Sequence, residues 1–291
     1  MFLSNEQPMD LIKACKSKDA EKALDLIMHN DINLNIVDLY GRTALMWACI
    51  YEMKEVALEL IKTGHAKPEQ VDNANNTALI LACSCEMKEV ALELIKMEHV
   101  NPEQVCCNGC TALHYACSNK MEEVALELIK TERAKPEQVD NYGYTALILA
   151  CSYEMKEVAL ELIKTGHANF EQVCYYGNPA SHLAYRYQMK TRKSNPDYIY
   201  NLGHTALIWA CQNAMKEVAL ELIKTGKSNP EYIDKDGNTA LSWACENDMK
   251  DVAYELVSIG AFTINDIMSL KLEWVPELFI MKPVYVTEVD I

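Results

Sequence analysis

Long apolar runs are missing from this sequence. No 18-residue segment is hydrophobic enough to cross a bilayer, and the opening residues, MFLSNEQPMD, lack the basic start and apolar centre of a secretory leader. Positive charge is scarce: 27 Lys and Arg face 42 Asp and Glu, a formal net charge of −15, which argues against a phosphate backbone or an anionic membrane as partner. There is no glycine-rich phosphate loop and no nucleophile elbow. Neither a second CxxC nor an HxxxH accompanies the CxxC spacing of Cys107 and Cys110, so a tetrahedral zinc site lacks half its ligands. The motif CCNGC at residues 106–110 reads as a loop-tip turn around Asn108 and Gly109. These absences predict no cofactor, no metal, no nucleic acid and no membrane, in an acidic protein of a reducing intracellular compartment such as the cytoplasm.

What is present is repetition. MKEVALELIK at residues 53–62 recurs unchanged at 87–96, 155–164 and 215–224, and with small changes at 121–130 and 249–258. Val56 with Leu60 and Ala57 with Ile61 stand four apart, while Lys54, Glu55, Glu59 and Lys62 are charged, the pattern of an amphipathic helix. A helix of about ten residues is marginal alone in water, so it must be buried against its own copies. Glu55, Glu59 and their equivalents are a solvated face, because a dozen identical carboxylates cannot each be a catalytic acid. His65, His99 and His167 share a position with Arg133 and Lys227, which marks a tolerant surface site. No enzyme is expected.

A second element precedes each long helix and opens G-x-T-A-L: GRTALMWAC from Gly41, GCTALHYAC from Gly109, GYTALILAC from Gly143, GHTALIWAC from Gly203 and GNTALSWAC from Gly237. Thr43, Thr77, Thr111 and Thr145 are spaced by 34, as are Thr205 and Thr239, and Thr is a natural N-cap. Seven of the twelve Cys (Cys15, Cys49, Cys83, Cys117, Cys151, Cys211 and Cys245) occupy one repeat position after an Ala, where a thiol serves as a small core residue. Trp47, Trp209 and Trp243 also share one core position. Residues 65–76, HAKPEQVDNANN, are rich in turn formers. The pattern predicts helix, turn, helix, long loop. Val71, Val105, Val139 and Ile233 are expected to plug a short helical turn at KPEQV, NPEQV and NPEYI into the core.

G-x-T-A-L-x-x-A followed by E-V-A-x-x-L-I-x-x-G resembles the ankyrin repeat over about residues 8–267. The resemblance implies an all-α solenoid of paired antiparallel helices with long loops, seven full repeats counting the cap, and one truncated repeat. The family's Pro after Thr is Ala here, its His persists at His114 and at His182, and Glu52, Glu86, Lys120, Glu154, Ala214 or Asp248 replaces the Gly between helices. A left-handed residue there costs about 1–2 kcal/mol relative to Gly. The divisions expected are a capping repeat at 1–37 and four repeats at 38–173. A truncated repeat at 174–199, two repeats at 200–267 and an apolar tail at 268–291 complete the chain.

Thr145 and Thr205 are 60 residues apart where two repeats need 68. The deficit falls on EVALELIK, most of one second helix. Either the stack kinks or breaks near residues 186–204, or residues 203–211 shift back and stacking continues with a bend. The tail is expected to cover the last repeat; the alternative is an F-box-like segment that would make the protein a ubiquitin-ligase substrate adaptor.

By resemblance, the loop tips and first-helix ends line a concave protein-binding face. The residues expected to bind an unidentified protein partner are Tyr40, Arg42, Tyr51, Tyr142, Tyr144, Tyr153, Tyr175, Tyr176, Arg186 and Tyr187. Six of these tyrosines fall in two adjacent units, where they either form the contact patch, the preferred reading, or cover the space left by the missing helix. The chain is expected to act as a monomeric scaffold.

Overall fold

The computed structural model describes residues 6–29, 33–174 and 203–262. Among them the helices come in pairs: α1 (Glu6–Lys16) with α2 (Ala20–His29), α3 (Ala44–Ile50) with α4 (Lys54–Lys62), and α5 (Ala78–Ser84) with α6 (Lys88–Ile95). They continue as α7 (Ala112–Ser118) with α8 (Glu122–Lys130), and α9 (Ala146–Ser152) with α10 (Lys156–Thr165). After residue 202 come α11 (Ala206–Gln212) with α12 (Lys216–Lys224), and α13 (Ala240–Glu246) with α14 (Lys250–Ser258). No strand occurs among the described residues; a single bridge joins Val173 to Thr205. The protein is an all-α repeat solenoid.

From α3 on, each first helix follows a Thr, and its hydroxyl caps the third backbone N–H beyond it, as Thr43 does for Met46 at 3.2 Å, Thr77 for Ile80 at 3.3 Å and Thr145 for Ile148 at 3.2 Å. All seven residues of α3, α5 and α7 are buried, because each lies between its own second helix and the first helices of both neighbours. Second helices bury one stripe only: Val56, Ala57, Leu60 and Ile61 face inward on α4 while Lys54 and Glu55 face water. The repeated cysteines are fully enclosed, and burial pushes Cys15 and Cys117 up to about 12. They are neutral core residues.

The turn within each pair takes a left-handed residue, the case in which replacing Gly carries its cost. Glu52, Glu86, Lys120, Glu154, Ala214 and Asp248 have φ of 58°, 57°, 52°, 61°, 52° and 52°. The N–H of the following Met closes each turn on an Ala carbonyl five residues back, Met53 to Ala48 at 2.9 Å and Met121 to Ala116 at 2.8 Å. These Met side chains are buried, and that contact offsets the backbone strain.

One expectation fails at the Pro-containing loops. Val71 and Ile233 are 38% and 61% exposed, and the segment is a turn rather than a helical one. The rings of Pro68 and Pro102 are buried instead. Next to them Gln104 reaches back 3.3 Å to the Asn75 carbonyl, and Gln138 3.3 Å to that of Gly109, so a polar staple holds the place assigned to an apolar plug.

The stack does not break where a helix is missing from the sequence. α9 packs directly on α11 and α10 on α12, as neighbouring pairs do elsewhere. Asn213 donates to the carbonyls of Cys151 at 3.0 Å and Ser152 at 3.3 Å, the clamp that Asn119 makes on Cys83 at 2.8 Å and Ser84 at 3.3 Å. Lys156 pairs with Glu217 at 2.7 Å just as Lys54 pairs with Glu89 at 2.7 Å. The predicted break is therefore corrected in favour of continued stacking: the second unit offers the same complementary faces, and those faces meet regardless of the chain between them. Residues 175–202, which carry most of the truncated repeat, lie outside the described residues, as does the 268–291 tail.

Candidate functional site

The loop tips are built on one side chain that the sequence reading passed over. Asp38, Asp72, Asp140 and Asp234 share a repeat position, and Oδ1 of each accepts the backbone N–H groups two and four residues on. For Asp38 these are Tyr40 at 2.9 Å and Arg42 at 3.1 Å; for Asp140, Tyr142 at 2.9 Å and Tyr144 at 2.8 Å. A short carboxylate that bonds its own backbone is the ordinary physics of such turns. The signal was available as D-x-x-[GN]-x-T at the repeat spacing.

Neighbouring tips are bonded to each other. Asn73 donates its backbone N–H to the Tyr40 carbonyl at 2.9 Å, Cys107 to Ala74 at 2.9 Å, and Asn141 to Asn108 at 3.0 Å. The approach is so close that a Cβ on Gly41 would lie 2.7 Å from Asn73 Oδ1, and one on Gly109 2.9 Å from the Asn141 nitrogen; φ is also positive at both. Glycine answers both demands. His114 adds a further link, with Nδ1 2.9 Å from the Thr111 hydroxyl and Nε2 3.3 Å from the Tyr144 carbonyl.

In three units the residue just before the Thr reaches the aspartate of the next unit. Arg42 Nε donates to Asp72 Oδ2 at 3.0 Å, Cys110 Sγ to Asp140 Oδ2 at 3.8 Å, and His204 Nε2 lies 3.1 Å from Asp234 Oδ2. Tyr144 occupies this position and is 0% exposed; burial pushes its hydroxyl well up. Its expected place on a binding face is thus corrected: Tyr144 is enclosed in the stacked array, whereas Arg42 at the same position keeps part of its surface in water.

Three of the expected residues do converge. At the seam between the cap and the first full unit Tyr40, Arg42 and Tyr51 surround Trp47, which stacks on Tyr51 with ring centroids 5.4 Å apart and meets Tyr40 edge-on at 6.3 Å. Lys16 Nζ sits 4.7 Å from the Trp47 centroid and Arg42 4.9 Å, while Lys18 lies 5.1 Å from that of Tyr51. Asp38 Oδ2 accepts from Lys16 at 2.9 Å and from the Trp47 indole at 3.0 Å. Burial pushes the Asp38 carboxyl up, but Lys16, the backbone of Tyr40 and Arg42, and Trp47 outweigh it and hold the group below its ordinary value. Above this frame Leu39 is 95% and Tyr40 44% exposed. Trp47 is buried as expected, yet its indole N–H also belongs to the cluster.

Tyr142 and Tyr153 are half-buried on the fourth unit, with Lys120 Nζ 5.8 Å from the Tyr153 ring. Tyr175, Tyr176, Arg186 and Tyr187 lie outside the described residues; of the expected six-tyrosine patch the described residues hold these two half-buried rings and the enclosed Tyr144. His65, His99 and His167 are exposed. No group of three or more His, Cys, Asp or Glu suited to a metal occurs among the described residues, and no helix there is long and apolar enough to cross a membrane.

A search among curated proteins finds no match to this chain. The family profile described as Ankyrin repeats (3 copies) matches residues 11–104, 85–173 and 170–266. With the paired helices, Thr-capped first helices and bonded loop tips, those matches account for nearly the whole chain, which belongs to the ankyrin-repeat family.

Proposed function

We propose that this protein binds a protein partner through its loop tips and first-helix ends, with the contact centred on Tyr40, Arg42 and Tyr51, and that it catalyses nothing. Ankyrin repeats are protein interaction modules in general; the choice of face is the inference. The observation that carries it is the cluster around Trp47. Exposed aromatic surface with nearby cations is costly to leave in water, and Tyr, Trp and Arg dominate binding hot spots. Here the rings are held by one another and by Asp38, so little side-chain entropy remains to be lost on contact. Tyr142 and Tyr153 extend the same side of the array. The adaptor alternative rests on residues 268–291 and gains nothing from the described part of the chain.

The test is site-specific photo-crosslinking in cells of the source organism. A benzophenone amino acid at Tyr40 should give a discrete protein adduct, lost when Arg42→Glu is added, while one at Lys62 on the outer helix face should give none. An adduct from Lys62 but not from Tyr40 would remove the proposed face.

A further inference from the structure

The third unit departs from its neighbours at the anchor of the loop tip. Where four units have Asp, it has Cys106, and the turn is the same. Cys106 N–H bonds the Cys110 carbonyl at 2.9 Å, as Asp72 bonds Asn76 at 2.9 Å and Asp140 bonds Tyr144 at 2.9 Å. In the Asp units this turn directs two backbone N–H groups at a carboxylate oxygen: Ala74 and Asn76 at 2.9 Å each for Asp72, Asp236 at 2.9 Å and Asn238 at 2.8 Å for Asp234. The turn is an anion cradle. In the third unit the N–H groups of Asn108 and Cys110 converge on the Cys106 sulfur, joined by the Cys110 thiol and by the Tyr115 hydroxyl at 3.9 Å.

We propose that Cys106 is a peroxide-sensing cysteine held in the place of the repeat's aspartate, and that Cys110 is its resolving thiol.

The spacing of the sequence drew attention to Cys107 with Cys110; the fold instead brings Cys106 to Cys110 and leaves Cys107 exposed. The bond from the Cys106 N–H to the Cys110 carbonyl and the contact between the two thiols hold the pair side by side, as a disulfide requires. The Cys110 contact, acting against burial and aided by the two N–H groups and Tyr115, brings Cys106 down to about 6. The same contact, burial and Asp140 push Cys110 up. Cys174 shares the repeat position of Cys106 but donates its S–H to the His204 carbonyl at 3.2 Å, and burial holds it above its ordinary value. Its shift runs opposite to that of Cys106.

The chemistry balances with hydrogen peroxide as oxidant. The Cys106 thiolate attacks one peroxide oxygen, an S–O bond forms, the O–O bond breaks, and hydroxide leaves to become water. The Cys110 sulfur then attacks the Cys106 sulfenic acid, an S–S bond forms, the S–O bond breaks, and the hydroxyl departs as water with the Cys110 proton. The two sulfurs give up two electrons, and peroxide becomes two waters. Asp140, 3.8 Å from Cys110 Sγ, stands where that proton leaves, so oxidation also breaks a contact between the third and fourth units.

The experiment treats the full chain, reduced and desalted, with hydrogen peroxide, blocks remaining thiols with a maleimide, and weighs the digested peptides. The peptide spanning residues 106–110 should be lighter by two hydrogens and carry a bridge between Cys106 and Cys110. Cys107→Ser should retain the bridge, Cys106→Ser should lose it, and Cys110→Ser should leave a Cys106 sulfenic acid that dimedone traps. A bridge from Cys107 to Cys110, or peroxide treatment that leaves Cys106 and Cys110 both open to the maleimide after denaturation, overturns the proposal. Cys106→Asp, which restores the sister residue, should melt no lower than the parent and form no bridge; a clear fall in its melting temperature would show that the turn is no anion cradle and would also overturn it.

Discussion

Between Thr77 and Thr111 the chain runs 34 residues, and between Thr145 and Thr205 it runs 60, yet both pairs of units meet through the same contacts. An Asn clamps two carbonyls of the preceding first helix, a Lys on one second helix pairs with an acid on the next, and the first helices pack face to face. Connectivity differs and the interface does not. In a linear array each unit's stability is set by its own packing and by its nearest neighbours; near-identical units offer identical faces, so a unit finds its place whatever length of chain leads to it.

The largest test compares cores. Leu79 and Leu207, equivalent and fully buried on α5 and α11, should each lose about 2–5 kcal/mol of unfolding free energy on replacement by Ala, measured in urea. A much smaller loss at Leu207 would mean that the junction beyond residues 175–202 is looser than an ordinary one.

Next are the clamps. Asn119→Ala and Asn213→Ala should cost about 1–2 kcal/mol each, since each leaves two carbonyls short of a donor. Equal losses support equal interfaces; a silent Asn213 variant would break the comparison.

Acid should then separate the two junctions. Burial holds His204 below 6.5, against the attraction of Asp234 and Asp236, so the folded chain binds fewer protons there than the unfolded one. This contribution is intact above about pH 6.5 and is lost as pH falls from there through the depressed folded value. Melting temperature against pH should show an acid slope in this range that His204→Gln reduces, while His114→Gln serves as the control elsewhere in the array. An unchanged slope in His204→Gln would assign the effect to carboxylates.

Smallest is the surface ladder. Lys54 and Lys156 are both exposed and ion-paired, and exposed pairs contribute little. Lys54→Ala and Lys156→Ala should leave the melting temperature nearly unchanged at physiological salt, and by the same amount. A clear drop for Lys156 alone would show that the longer junction depends on its ion pair.

Much of the fold was legible because it is written many times. The periodicity of MKEVALELIK, the Thr caps and the left-handed residues from Glu52 to Asp248 follow from local rules that each copy states again. Val71 and Ile233 misled because an apolar residue in a loop has no periodicity to show which way it points, and Pro68 with its Gln70 neighbour had the better geometry. Tyr144 misled in a different way. Its position varies between units, and variation reads as surface, but Arg42, Cys110 and His204 vary there too, and each reaches the aspartate of the unit beyond.

By itself the sequence determined the unit: which residues form each helix, which stripe is apolar, where each turn must be left-handed. Those choices depend on side chains within a few residues of one another. Only the tertiary structure decided that stacking resumes after residue 202, that Trp47 gathers Lys16, Tyr40, Arg42 and Tyr51, and that Cys106 rather than Cys107 meets Cys110. Each depends on how one unit is rotated against the next, or on which way a turn directs its side chains, and a repeat spacing carries neither.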